Sequence, residues 1–358
     1  MLTFFAIDIP ILPNKAPPLT RKSSGGKTPA QDTDTQTLAT EPHAGGNRTR
    51  RMRLRAAWMY FIEEMTQNEI AQQLGVGRVT VVRLLSDARE RHEIRFSIEG
   101  DLSECVRLER QLERRFGLRE AIVVPFSGSD DADPARAIGA ATGFFLSDHV
   151  RAGMKIGVGW GRTLWESLRY VHESPIADVS VVSLLGGITW VKKFNPSEFA
   201  WRLASLFQAE CYLLPAPAIV DTPQTRRALL DHCGIGEGLE RARSLDAAIF
   251  SVGNLEPTGT SYRDGFVPDE LRCEMIRIGA VGEVLFHYFD AQGELIRHPI
   301  QERIMAAPVD SLRGVPERIL VSGGLDKVDA LLGAIRLMKP TVLITDEAAA
   351  ARLLERDR

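Results

Sequence analysis

Apolar residues recur along this chain with two different periods, and the change from one to the other divides it. Between 54 and 65 they stand at Leu54, Ala57, Trp58, Phe61, Ile62 and Met65, the spacing of one buried helix face. Ile70, Ala71 and Leu74 supply the inner face of a second helix. Val81, Leu84, Leu85 and Ala88 do the same for a third, at about 77–91. Thr66 is the expected cap of the second helix, because Glu69 three residues on completes a capping box. Gly75 is its expected end, since glycine tolerates the left-handed conformation that closes a helix. Over 101–116, Leu102, Val106, Leu108, Leu112 and Phe116 make a looser stripe among many charges. Such a helix either links domains and pairs subunits, or packs on its own domain.

Farther on, short β-rich runs alternate with helical segments. The runs are AIVVP (121–125), KIGVGWG (155–161), VSVVSLLGG (179–187), ECYLLPAP (210–217), AAIFSVG (247–253), GEVLFHYF (282–289), RILVSGG (318–324) and TVLITD (341–346). Helical stretches lie between most of them, for example 134–148, 162–171, 196–209, 269–279 and 326–338. Apolar strands alternating with helices predict an α/β fold, a large and mostly parallel sheet covered on both faces.

The N-terminal helices carry a more specific pattern. A helix-turn-helix unit needs a small residue where its third helix crosses the second, and Ala71 is there. It needs a glycine in the turn four residues later, and apolar anchors six and nine residues beyond that; Gly75, Val81 and Leu84 fit, with Ile70, Leu74 and Val76 completing a small core. The expected domain is thus a helix-turn-helix of winged-helix-like type, its third helix entering the major groove. The residues expected at DNA are Thr66, Gln67, Gly77, Arg78, Val79, Thr80, Val82 and Arg83. Arg78 is the candidate base contact, since a guanidinium can grip guanine O6 and N7 together. Arg83, Arg89 and the run Arg48, Arg50, Arg51, Arg53 and Arg55 are expected at phosphates or in solvent.

Charge sharpens the division. The overall balance is −3, yet residues 48–95 hold ten Arg against six Asp and Glu, whereas 96–358 hold thirty Lys and Arg against thirty-seven Asp and Glu. A small basic module beside a large acidic one points to nucleic acid at one end and another task at the other. Four dispersed cysteines without a CxxC pair argue against a zinc site or a disulfide framework, and fit a reducing cytoplasm. No apolar run approaches a membrane span. Residues 1–51, rich in Pro, Thr, Ser and Gly from about 14 to 46, are expected to be a disordered tail without function.

In a parallel sheet, ligands gather at the carboxyl ends of the strands. Those ends here read GVGWGRT (157–163), GGIT (186–189), SVGN (251–254) and SGGLDK (322–327). GVGWGRT follows a strand and opens a helix, so its backbone amides could hold a phosphate and Thr163 could add a hydroxyl. Lys327 sits in the first turn of the following helix, where an ammonium could meet the same phosphate. Neither loop is a P-loop or a GxGxxG, so no nucleotide is implied. Together they favour a small phosphorylated ligand.

The ordered set of the helix-turn-helix at 66–91, GVGWGRTL, VVSLLGG, LLPAPAIV, GAVGEV (279–284), SGGLDKVDALLGAIR and LITDEAAAARLL resembles the SorC/DeoR family of sugar-responsive bacterial transcription regulators, over about 53–356. The resemblance implies a phosphosugar-isomerase-like effector domain, a phosphorylated sugar or polyol as inducer, and dimers or tetramers on operator DNA in the cytoplasm. No cofactor, metal, membrane contact or catalytic residue is expected. Its expected divisions are a helix-turn-helix domain at 52–98, a linker helix at 99–117 and an effector-binding and oligomerisation domain at 118–358. By position, the effector would meet Gly159, Gly161, Arg162, Thr163, Gly187, Thr189, Glu283, Gly323, Gly324 and Lys327. Glu283 stands where the family has an aspartate, and Gly77 and Val82 where it has recognition-helix serines. A sugar-phosphate isomerase with an appended DNA-binding domain is the competing expectation, with Glu283 or Asp346 as general base.

Overall fold

The computed structural model describes residues 44–358 except 64, 92, 95–101, 127–132, 189–194, 258, 264 and 358. Most of the expected tail, and Thr189, lie outside the described residues. The N-terminal helices are α1 (Ala44–Phe61), α2 (Gln67–Leu74) and α3 (Arg78–Glu90). The chain divides into two units between Met52 and Arg53, within α1, and the features described next lie in the second.

Local chemistry sets these helix ends. Thr66 Oγ1 accepts from the Glu69 amide at 3.4 Å, and a Glu69 carboxylate oxygen accepts from the Thr66 amide at 2.7 Å, so the capping box forms. Gly75 closes α2 at φ 65°, its amide donating back to Ala71 and Gln72. Ile70, Ala71, Val81, Leu84, Leu85 and Ala88 are buried together with Ala56, Ala57 and Met59. That buried set corrects the expected face of α1. Leu54, Trp58 and Ile62 are exposed; Ala56 and Met59, outside the expected face, turn inward with Ala57. The helix also begins ten residues before Leu54; 47–53 holds no helix breaker, and arginine is a good helix former.

The second half runs α4 (Leu102–Phe116), β1 (Glu120–Val124), α5 (Ala135–His149), β2 (Lys155–Val158), α6 (Arg162–Ser167), β3 (Ser180–Ser183), α7 (Pro196–Phe207), β4 (Glu210–Tyr212), α8 (Pro223–His232), α9 (Ile235–Glu240), β5 (Ala247–Phe250) and β6 (Gly253–Asn254). It continues α10 (Thr260–Arg263), α11 (Asp269–Arg277), β7 (Gly282–Val284), β8 (His287–Phe289), α12 (Val309–Arg313), β9 (Glu317–Val321), α13 (Val328–Met338), β10 (Val342–Asp346) and α14 (Glu347–Arg356). Seven strands form one parallel sheet in the order β1-β10-β9-β5-β2-β3-β4. Side chains alternate between its faces. Ile249, Ile319 and Ile344 pack toward Ile138, Leu146, Phe199 and Leu203 of α5 and α7, while Phe250, Leu320 and Leu343 pack toward Leu108, Leu112, Leu331 and Leu353 of α4, α13 and α14. No helix among the described residues is long and apolar enough to cross a membrane.

Helix α4 packs on its own domain, with Cys105, Leu108 and Leu112 buried. Two carboxylates one turn apart, Glu109 and Glu113, accept the outward amides of Val123 (2.9 Å) and Ala121 (3.3 Å) on the edge strand β1. An open sheet edge is thereby occupied by side chains. Burial pushes the Glu109 carboxyl up, partly offset by the Val123 amide.

The run at 282–289 is not one strand. Leu285 and Phe286 both take positive φ (53° and 64°) and turn the chain back, so β7 pairs antiparallel with β8 and, on its other side, with β6 in a separate small sheet. Positive φ at both central residues is what a tight hairpin requires, but Asn or Gly usually supplies it.

Candidate effector site and DNA-facing helix

The third helix presents the expected polar end outward. Gly77, Arg78, Val79, Val82 and Arg83 are exposed, Val79 at 84%, and Thr80 is half-buried. Arg78 Nε points to Gln67 Oε1 at a long 3.4 Å, and both line a cleft with Tyr60, Met65, Thr66 and Asn68. An exposed valine at the start of a helix has no packing role there. Arg53 departs from its expected place. It is 6% exposed and forked onto Glu93 at 2.8 and 2.6 Å, so it braces α1 against the chain after α3 and meets no phosphate. Arg89 lies over the Phe61 ring, 5.5 Å from its centre.

The effector candidates converge because of strand order. β9, β5 and β2 are neighbours in the sheet and all run parallel, so the loops 322–327, 251–254 and 159–163 leave the same edge side by side. Lys327 Nζ reaches the Val252 carbonyl at 3.4 Å, and Ser322 Oγ reaches the same oxygen at 3.5 Å. A Cβ placed on Gly161 would meet Ser251 at 3.5 Å. The hairpin turn closes the other side: Leu285 packs on Gly159, and the rings of Trp160 and Phe286 lie 5.5 Å apart.

Burial holds the Lys327 ammonium below the usual lysine range, Arg162 adding to the effect while Asp326, Glu283 and Asp133 oppose it. Glu283 is buried, and burial pushes its carboxyl up; the Phe286 amide (2.8 Å), Ser261 Oγ (3.3 Å) and Lys327 pull the other way. An anion entering here would strengthen the charged form of Lys327.

Several glycines serve differently from the expectation that their amides hold phosphate. The Gly159 amide donates to Ile249 O at 2.8 Å and extends the β2–β5 ladder. The Gly324 amide donates to Asp346 Oδ2 at 2.7 Å. Gly187 belongs to another join: its amide and carbonyl bond Ala216 and Ala218 after β4. Gly323 is where the carboxylate and the loop touch, since a Cβ there would fall 2.1 Å from Asp346 Oδ2. Asp346 also caps α14 through the Ala349 amide (3.0 Å), so both its oxygens hold backbone. Thr163 is buried in the first turn of α6.

Four residues outside the expected set join the cluster: Asp133, Asn254, Ser261 and Asp326. Asn254 Nδ2 donates to Asp326 Oδ2 (2.8 Å) and to its carbonyl (3.2 Å), leaving Oδ1 a buried acceptor without a partner. Asn254 and Asp326 stood inside the polar loops SVGN and SGGLDK; nothing in the sequence marked Asp133 or Ser261.

A helix-turn-helix joined to a parallel sheet whose strand ends gather two cations and several hydroxyl-pairing groups defines a regulator class, DNA reader plus small-molecule receptor. The family model described as "Putative sugar-binding domain" matches residues 100–355. The chain belongs to the SorC/DeoR family of sugar-binding transcriptional regulators. It is 31% identical over 303 residues to the erythritol catabolism regulatory protein EryD of Brucella abortus, covering 84% of this chain and 95% of that one. It is 28% identical over 302 residues to the deoxyribonucleoside regulator of Bacillus subtilis, covering 84% and 96%. The full-length sorbitol operon regulator SorC from Klebsiella pneumoniae matches the structure with a TM-score of 0.68 at 25% identity, over 85% of this chain and 98% of that one.

Proposed function

We propose that this protein regulates a carbohydrate or polyol catabolic operon, binding its operator through α3 and a phosphorylated sugar or polyol through the loops after β2, β5 and β9. The observation that carries the reading is the convergence of Lys327 and Arg162 at one sheet edge, in a chain that also presents Arg78 and Val79 outward from a recognition helix. Two of the three relatives are named for polyols, erythritol and sorbitol, which favours a polyol phosphate. Glu283, Asn254 and Asp326 offer acceptors for hydroxyls, and Lys327 and Arg162 charge for the phosphate.

The division of labour follows: 52–98 reads DNA, 99–117 joins and braces, and 118–358 binds effector and assembles the oligomer. One recognition helix contacts few bases, so a dimer or tetramer on paired half-sites in the cytoplasm completes the proposal. Ligand acts by changing the populations of two arrangements, by no more than its difference in affinity for them. The test is a thermal-shift screen across phosphorylated and unphosphorylated polyols, followed by operator release with each hit. Stabilisation by unphosphorylated forms alone would refute the phosphate assignment. The raised carboxyl of Glu283 beside Lys327 is also what a general base for isomerisation needs, so the same hits are assayed for isomer turnover, which would replace this reading with an enzyme.

A further inference from the structure

Arg162, the exposed cation of the candidate site, already has an anion. Its Nη1 lies 2.5 Å from Asp133 Oδ2, and the two side chains are 39% and 45% exposed. Asp133 precedes α5, and its other oxygen accepts from the Ala135 amide at 3.1 Å. One carboxylate thus ties the first turn of α5 to the first residue of α6.

The charges around Lys327 make this pair consequential. Arg162 is the other cation facing it, against the carboxylates of Asp326, Asp133 and Glu283. A phosphate with nearly two negative charges would meet a cluster that already has its counter-charges. Asp326 is held by Asn254, and Glu283 is buried under Phe286 and Ser261. Asp133 alone among the three holds the site through an exposed ion pair, which can open into water at small cost. We infer that Asp133 is a built-in competitor for the anionic group of the effector, holding Arg162 in the ligand-free protein and releasing it on binding, so that its charge sets the concentration at which the regulator responds. The inference rests on the proposed anion-binding role of these loops.

Asp133→Asn removes the charge and keeps a carbonyl oxygen for the Ala135 amide; Asp133→Ser is a second variant that keeps an acceptor. Calorimetric titration of the full-length protein with inorganic phosphate is expected to show both variants binding about two- to fivefold tighter than wild type, the equivalent of roughly 0.4–1 kcal/mol and within the range of an exposed ion pair. In an Arg162→Gln background, itself weaker for phosphate, Asp133→Asn should give a clearly smaller gain, because the two residues act on each other. Equal or weaker phosphate binding by Asp133→Asn and Asp133→Ser, with wild type binding measurably, would overturn the competitor role while leaving the anion site standing. An undiminished gain in the Arg162→Gln background would overturn it too. Phosphate binding by none of the proteins would overturn the anion site, and the inference with it.

Discussion

Replacing Arg53 by methionine should unfold the DNA-reading helices without touching a DNA contact. Its guanidinium spans two hydrogen bonds to Glu93, at 2.8 and 2.6 Å, with the two side chains only 7% and 11% exposed. Breaking a buried ion pair by removing one member costs about 3–5 kcal/mol. That is a large share of the roughly 5–15 kcal/mol that holds a whole domain folded. Arg53→Met should therefore lower the urea midpoint of the N-terminal helices sharply and abolish binding to operator and random DNA alike. The double variant Arg53→Met with Glu93→Leu should recover most of the stability, because an apolar pair of similar volume replaces a buried ion pair at little or no cost. An arginine on phosphate would behave otherwise. Stability would hold, and the slope of log affinity against log salt would fall by about 1. A single variant within about 0.5 kcal/mol of wild type by denaturation, or a double variant no better than the single, would refute the bracing role.

Arg78→Ala should weaken operator binding by about 1–3 kcal/mol and relax preference at one base pair; equal loss on random DNA, measured by competition, would make it a phosphate contact. Lys327→Ala should raise the sugar phosphate needed for operator release at least about tenfold, the equivalent of a charge-assisted contact of ~1.5–3 kcal/mol, while ligand-free operator affinity stays unchanged. Glu109→Ala should cost about 1–3 kcal/mol in chemical denaturation by leaving the Val123 amide without its acceptor, and an unchanged midpoint would discard the edge-capping account. His287 is pushed by burial below its ordinary value of 6.5, against its bonds to Gln301 and Ala307. The folded state then binds fewer protons than the unfolded one once pH drops under 6.5, so this contribution is complete above 6.5 and is lost as pH falls. His287→Gln should flatten the decline of stability toward pH 5, and an unchanged slope would show that other groups cause it.

What could be read from the sequence was local. Thr66 with Glu69, Gly75, and the anchors Val81 and Leu84 fix their conformations within a few residues, and each stands where its spacing predicts. The parallel strands were legible because burial on both faces makes them continuous apolar runs. What escaped depends on distant partners. The buried face of α1 carries Ala56, Ala57 and Met59, whereas helical spacing from Leu54 points to Leu54, Ala57 and Trp58. Arg53 looked like its neighbours until Glu93, forty residues away, met it. Glycines at strand ends suggested amides open to phosphate, yet Gly159 and Gly324 spend theirs on Ile249 and Asp346. No spacing rule carries that information.

The hairpin at Leu285 and Phe286 shows how packing, recognition and sequence departure meet. Two bulky residues at positive φ each cost on the order of 1–3 kcal/mol, and such strain persists only where the surroundings compel it. Here both side chains are buried, against Gly159 on one side and Trp160 on the other, so the loop after β2 needs them inside. Glu283 completes the compulsion. Its extra methylene, relative to the aspartate the family resemblance implies, lets one oxygen reach the Phe286 amide at 2.8 Å while the other stays with Ser261 at 3.3 Å. The carboxylate therefore holds the turn that shapes the pocket, and any hydroxyl that reaches it uses the lone pairs left over. Under the proposed reading, selectivity among polyols would depend on the position this turn gives Leu285 and Phe286 as much as on Glu283 itself.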